Sequence, residues 1–109
     1  MFRVTLYQVF NPEISIDIQA YFDGENVVIK GNDIGKKVEE VWRDSDYEYV
    51  TTILEDEVTK LYALMQVKEG DKSELLKVLS EKFNTNTCYS EIGKFLENNH
   101  IKTDGFSWT

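Results

Sequence analysis

The chain predicts an α+β domain in which helices cover one face of an antiparallel sheet of four to five strands. Two observations carry this. Hydrophobic period two dominates the first third of the sequence and period 3.6 most of the last half, so strands gather early and helices late. Tight-turn residues also punctuate the early strands, as in a meander. The summed order is β-β-β-α-β-α-α-α-β. At 109 residues the chain is read as one domain spanning 1–109. A chain of this size buries roughly 65% of its extended surface, enough for a single core.

Phe2, Val4 and Leu6 alternate with Arg3 and Thr5 in the first strand. After Asn11-Pro12, Ile14, Ile16, Ile18, Ala20 and Phe22 alternate with Ser15, Asp17, Gln19 and Tyr21, giving one dry and one wet face. Asp23-Gly24-Glu25-Asn26 makes a turn, Val27-Val28-Ile29 returns, and Gly31-Asn32 is expected to close that strand.

The period then lengthens. Ile34, Val38, Val41 and Trp42 fall on one helical stripe, with Asn32 or Asp33 as its cap and Gly35 weakening its first turn. A fourth strand runs from Asp46 to Leu54, with Tyr47, Tyr49, Thr51 and Ile53 on one side and Glu48, Val50, Thr52 and Leu54 on the other. Val58, Leu61, Tyr62 and Met65 mark a helix that begins on Glu55-Asp56-Glu57. Asp71 with Glu74 has the spacing of a capping box ahead of Leu75, Leu76, Leu79 and Phe83. A last helix carries Ile92, Phe95 and Leu96. His100 then takes the position just past its end, where backbone often turns left-handed. Residues 101–109 are expected to close the sheet, with Phe106 and Trp108 on one face.

The charge is unevenly spread. The net value is −8, and residues 33–58 alone hold nine acidic against three basic groups, a balance of −6. Such a surface repels phosphate backbones and anionic lipid and attracts a basic protein. Nucleic acid and membrane are therefore not expected as partners. No stretch approaches the ~20 apolar residues of a membrane span, and MFRVTLYQVF has no secretory hydrophobic core. One cysteine, Cys88, allows no internal disulfide and points to a reducing, cytoplasmic setting.

Several chemistries lack the residues they need. One His and one Cys do not complete a zinc site. Cys88 and His100 stand at opposite ends of a helix, roughly 18 Å apart at 1.5 Å per residue, too far for a nucleophile and its base. Neither GxxxxGK[ST] nor GxGxxG occurs. Asp44, Asp46 and Glu48 share one side of an extended segment and could hold magnesium or calcium, but without the glycine and spacing of an EF-hand loop. Glu39, Glu40, Asp46 and Glu48 supply candidate acid–base pairs, yet charged groups are seldom buried enough to be tuned for that work. The expectation is no enzyme, no metal and no cofactor.

The block FDGENVVIKGNDIGKKVEEVWRDSDYEY, residues 22–49, resembles a set of small bacterial proteins of no assigned activity. Their shared pattern is a D-G turn, a V-x-I-x-G strand end, then D-I-G-x-x-V-E-E-x-W-x-D-S-D-Y-E-Y. The matching positions are Asp33, Gly35, Val38, Glu39, Glu40, Trp42, Asp44, Ser45, Asp46, Tyr47, Glu48 and Tyr49, with Val38 and Trp42 read as core. Arg43 departs from the small residue usual in that set, and a glycine often stands there in place of His100. The resemblance brings no catalytic residues. In size and acidity such proteins are similar to immunity proteins that neutralise toxins.

The expected function is thus a non-enzymatic protein-binding module of inhibitor or immunity type. Its basic protein partner, a toxin domain in the concrete form, would dock on Glu39, Glu40, Asp44, Asp46, Tyr47, Glu48 and Tyr49. Charged rim groups would steer association and tyrosines supply contact area. Two alternatives stay open: a carboxylate-based metal-binding or hydrolytic module, and an oligomerising structural protein whose strand edge or aromatic C-terminus makes a homodimer.

Overall fold

The computed structural model describes residues 2–10, 14–35 and 46–108, and at Gly35, Asp46, Tyr47 and 105–108 the backbone alone. Five strands form one antiparallel sheet in sequential order: β1 (Arg3–Phe10), β2 (Ile14–Asp23), β3 (Asn26–Gly35), β4 (Asp46–Ile53) and β5 (Asp104–Trp108). Three described helices, α1 (Glu55–Leu64), α2 (Lys72–Lys82) and α3 (Cys88–Asn98), lie in the connection from β4 to β5. The predicted α+β class and its strand meander are therefore present.

Side-chain alternation sorts the sheet into two faces. On the inner face, Ile18, Ala20, Phe22, Val27, Ile29 and Ile53 are buried together with Val58, Leu61, Leu75, Leu79, Ile92 and Leu96 of the helices. Each such large side chain contributes about 1.5–3 kcal/mol by leaving water. The outer face carries Asp17, Gln19, Tyr21, Lys30, Asn32 and Glu48, and no described helix packs on it.

The register between β1 and β2 shifts between Thr5 and Tyr7. Val4 pairs with Ala20, but beyond the bulge Tyr7 pairs with Ile18 and Val9 with Ile16. An extra residue in one strand resets the alternation. Leu6 is buried, and Tyr7 packs against the same core. This explains why period two holds up to Leu6 and then slips.

The end of β3 differs from the expectation. The strand runs on through Asn32, Asp33 and Ile34 to Gly35, paired to β2 as far as Ile14↔Gly35 and to β4 as far as Ile34↔Asp46. Asn32 and Asp33 therefore cap no helix, and Ile34 is a strand residue, 45% exposed, rather than the first position of an apolar stripe. Ladder bonds to two neighbours outweigh the local cap signal. Val38, Val41 and Trp42, the rest of that predicted helix, lie outside the described residues.

The helix ends follow rules of capping. Asp71 accepts a hydrogen bond from the Glu74 N–H at 3.2 Å, the N-terminal half of the capping box. Leu54, expected as the last residue of β4, instead precedes α1 and offers no side-chain cap. The Asn26 Oδ1 in the β2–β3 turn accepts the Glu55 N–H at 2.9 Å in its place. His100 has φ 58° as expected, with its N–H donating to Glu97 O at 3.1 Å and the Ile101 N–H to Leu96 O at 2.9 Å. That pair of bonds is a Schellman exit. Gln66 repeats it after α1, with φ 58°, Gln66 N–H to Ala63 O at 3.2 Å and Val67 N–H to Tyr62 O at 3.0 Å.

Candidate functional site

β3 and β4 carry most of the residues singled out by sequence, and their register divides them. Asn32 pairs with Glu48 and Gly31 with Tyr49, so Glu48 belongs to the outer face and Tyr49 to the inner one. Asp46 shares the register parity of Glu48, and Tyr47 that of Tyr49. Glu39, Glu40 and Asp44 lie outside the described residues.

On the inner face, Tyr49 lays its ring over Gly31, where an added Cβ would collide with the ring. Its hydroxyl donates to Asp33 Oδ1 at 2.8 Å. Tyr89, from the first turn of α3, meets Tyr49 edge-on with centroids 4.5 Å apart and shares a 2.5 Å hydrogen bond with Thr51 Oγ1. Burial raises the Asp33 carboxyl above its usual range, and the Tyr49 hydrogen bond opposes the rise. Burial and the Asp33 carboxylate together hold the Tyr49 phenol well above the ordinary tyrosine range. The network fastens α3 to the sheet. Tyr49 is thus engaged inside the chain rather than offered beside Glu48.

On the outer face, Lys30 Nζ meets Glu48 Oε1 at 2.8 Å, and that hydrogen bond raises the lysine pKa. Gln19 Nε2 donates to both oxygens of Asp17, at 3.3 and 3.1 Å. The Arg3 guanidinium lies 4.9 Å from the centroid of the Tyr21 ring. Asn32 stands between Asp17 and Glu48 in one cross-strand row, and its Oδ1 is buried with no partner among the described residues. Arg3, Asp17, Gln19, Tyr21, Lys30 and Asn32 border a groove of 220 Å³. Sequence reading placed Asp17, Gln19 and Tyr21 on a wet face but could not gather Arg3, Lys30 and Asn32 around them, because strand order and register set that grouping.

The remaining candidates are structural. Cys88 is 0% exposed at the start of α3, and burial pushes its thiol pKa up, which suppresses the reactive thiolate. His100 stands beyond the other end of the same helix. Among the described residues no group of three or more His, Cys, Asp or Glu is placed to hold a metal ion. Among them, too, no helix is long and apolar enough to cross a membrane.

Compared with protein families, curated proteins and solved structures, the chain finds no match.

Proposed function

We propose that the protein is a non-enzymatic binding module of inhibitor or immunity type that docks a basic protein, a cationic toxin domain in its concrete form. The observation that carries this reading is the charge: residues 33–58 hold −6 of the net −8. Where that segment is described, Asp33 is taken up by Tyr49, and other acids of the segment reach water. Glu48 stands on the sheet face that the described helices leave open, and Glu55 and Asp56 are exposed at the start of α1. Glu48, with Asp46 of the same register parity, joins Glu39, Glu40 and Asp44 in the docking surface, while Tyr47 and Tyr49 share the opposite parity and Tyr49 braces β4 from behind.

Negative potential gathered in one region speeds encounter with a cationic surface and rejects anionic ones. The test is capture of a partner on the immobilised chain at low and at high salt, set beside a variant with Glu39, Glu40, Asp46 and Glu48 changed to lysine. A stoichiometric partner with a basic surface, lost from the variant while its fold survives, supports the reading. Equal capture by both proteins overturns it.

A further inference from the structure

β1 is an edge of the sheet, and α2 packs beside it. Between them runs a groove of 290 Å³. One wall is the chain from Phe2 to Val4. The other is a single stripe of α2, Ser73, Leu76, Lys77 and Ser80, spaced three and four residues apart. Each wall is about 10 Å long, three extended residues against two helical turns.

An extended peptide needs backbone partners and apolar surface, and both are present. Phe22 N–H donates to Phe2 O at 3.0 Å, and the register continues through Val4↔Ala20 and Thr5↔Gln19. Backbone groups alternate in direction along an antiparallel strand, so Phe2 and Val4 turn theirs to β2 and Thr5 turns its N–H and C=O to the outer side. No described strand lies there. Beside that edge Phe2 is 46% exposed and Val4 half-buried, and buried Leu76 forms the floor.

Charge specifies the occupant. None of the residues lining the groove is acidic, and exposed Lys77 makes no ion pair among the described residues. The acids of β4 stand three strand spacings away, about 14 Å, beyond the ~8 Å screening length at physiological salt. A second copy of the chain fits poorly. Pairing β1 with β1 brings two Arg3 and two Lys77 together with no lining acid, and the bulge at Leu6 interrupts the ladder.

We infer that this groove takes up an extended segment of a partner protein, added to the sheet beside β1. Its backbone bonds to Thr5, an apolar side chain rests on Phe2, Val4 and Leu76, and a carboxylate side chain meets Lys77. In strand addition, main-chain bonds give affinity and alternate side chains give specificity. The site lies at the far edge of the sheet from β4, apart from the acidic docking surface.

The test is a titration of the isotope-labelled full chain, followed by NMR, with capped hexapeptides alternating valine or isoleucine with glutamate. Matched peptides carry glutamine for glutamate, or an N-methyl group on every amide. The expected result is saturable shifts at Thr5 and along the Ser73-to-Ser80 stripe, with slowed exchange of the Thr5 amide. N-methylated peptides should bind at least tenfold more weakly, and glutamine peptides about three- to fivefold more weakly, the range of an exposed ion pair. Lys77→Gln should remove the preference for glutamate at unchanged melting temperature, since Lys77 is exposed. Thr5→Pro, which removes an outward N–H at the edge, should abolish binding. No saturable shift with any of the peptides up to about 10 mM, ten times a ~1 mM Kd, overturns the inference. So does equal affinity for the N-methylated or the glutamine peptides, or a concentration-dependent shift at Thr5 in the peptide-free protein, the mark of a second copy.

Discussion

Tyr49 donates its hydroxyl to Asp33 Oδ1 at 2.8 Å from a ring that fills the space beside Gly31, residues sixteen and eighteen positions earlier in the chain. This gives a physical reason for the spacing of the G-x-D and terminal Tyr in the block over residues 22–49. Gly31 makes room for the ring, Asp33 receives its hydroxyl, and the β3–β4 register brings Gly31 opposite Tyr49. Glu48, one residue away, faces the other side. The tyrosine fixes the strand that carries the acids.

Gly31→Ala is accordingly expected to destabilise the fold by about 1–3 kcal/mol, the usual cost of forcing a packed core to shift. Because the clash is with one ring, Gly31→Ala combined with Tyr49→Ala should cost less than the sum of the two single changes. Urea unfolding of the three variants gives the coupling. Additive costs would mean that the ring does not rest on Gly31.

Asp33 sets a pH dependence. Its folded pKa is raised above the ordinary 3.8, so the folded state holds its proton more tightly than the unfolded chain. Its contribution to stability is full below pH 3.8 and falls as pH rises through that value to the raised folded one. Asp33→Asn keeps an acceptor for the Tyr49 hydroxyl and removes the charge that burial disfavours. The variant should melt higher than the parent at pH 7, with the difference closing as pH falls below 3.8. Thermal melts across that range check it.

Gln66 and His100 hold φ 58° without being glycine. A left-handed conformation costs an L-residue roughly 1–2 kcal/mol, partly offset by the extra freedom glycine has in the unfolded chain. Gln66→Gly and His100→Gly should each raise stability by up to about 1 kcal/mol, and additively, since they end different helices. Denaturant midpoints measure both.

The α1 start depends on a residue from elsewhere in the chain. Asn26 Oδ1 accepts the Glu55 N–H, and nearby Lys72 ties the same hairpin to α2 through Glu25 Oε1 at 3.0 Å and Gly24 O at 3.1 Å. Asn26→Ala removes a cap and should cost about 1 kcal/mol, whereas Asn26→Asp should retain most of it. Amide exchange in the first turn of α1 reports the change locally.

How much of this was legible follows from where each signal lives. The dry face of β2, the stripes of α1 to α3, the Asp71 cap and the left-handed His100 are local patterns, and the structure has them. The extent of β3 was misread because Asn32-Asp33 is a good cap by composition, while its fate depends on Ile14 to Asp17 and Asp46 to Glu48 pairing on either side. The bulge at Leu6 and the division of Glu48 from Tyr49 are likewise matters of register. The outer groove joins residues 3, 17, 21, 30 and 32, and only the strand order brings them to one place.

The central claim is that clustered negative charge docks a cationic protein, and salt dependence of affinity reads it most directly. Affinity for the captured partner should fall steeply as ionic strength rises from about 0.01 M to 0.15 M, where the screening length shrinks from roughly 30 Å to 8 Å. The variant with Glu39, Glu40, Asp46 and Glu48 changed to lysine should bind weakly with a flat or inverted slope. Tight binding by that variant, with the parent's salt slope, would contradict the account.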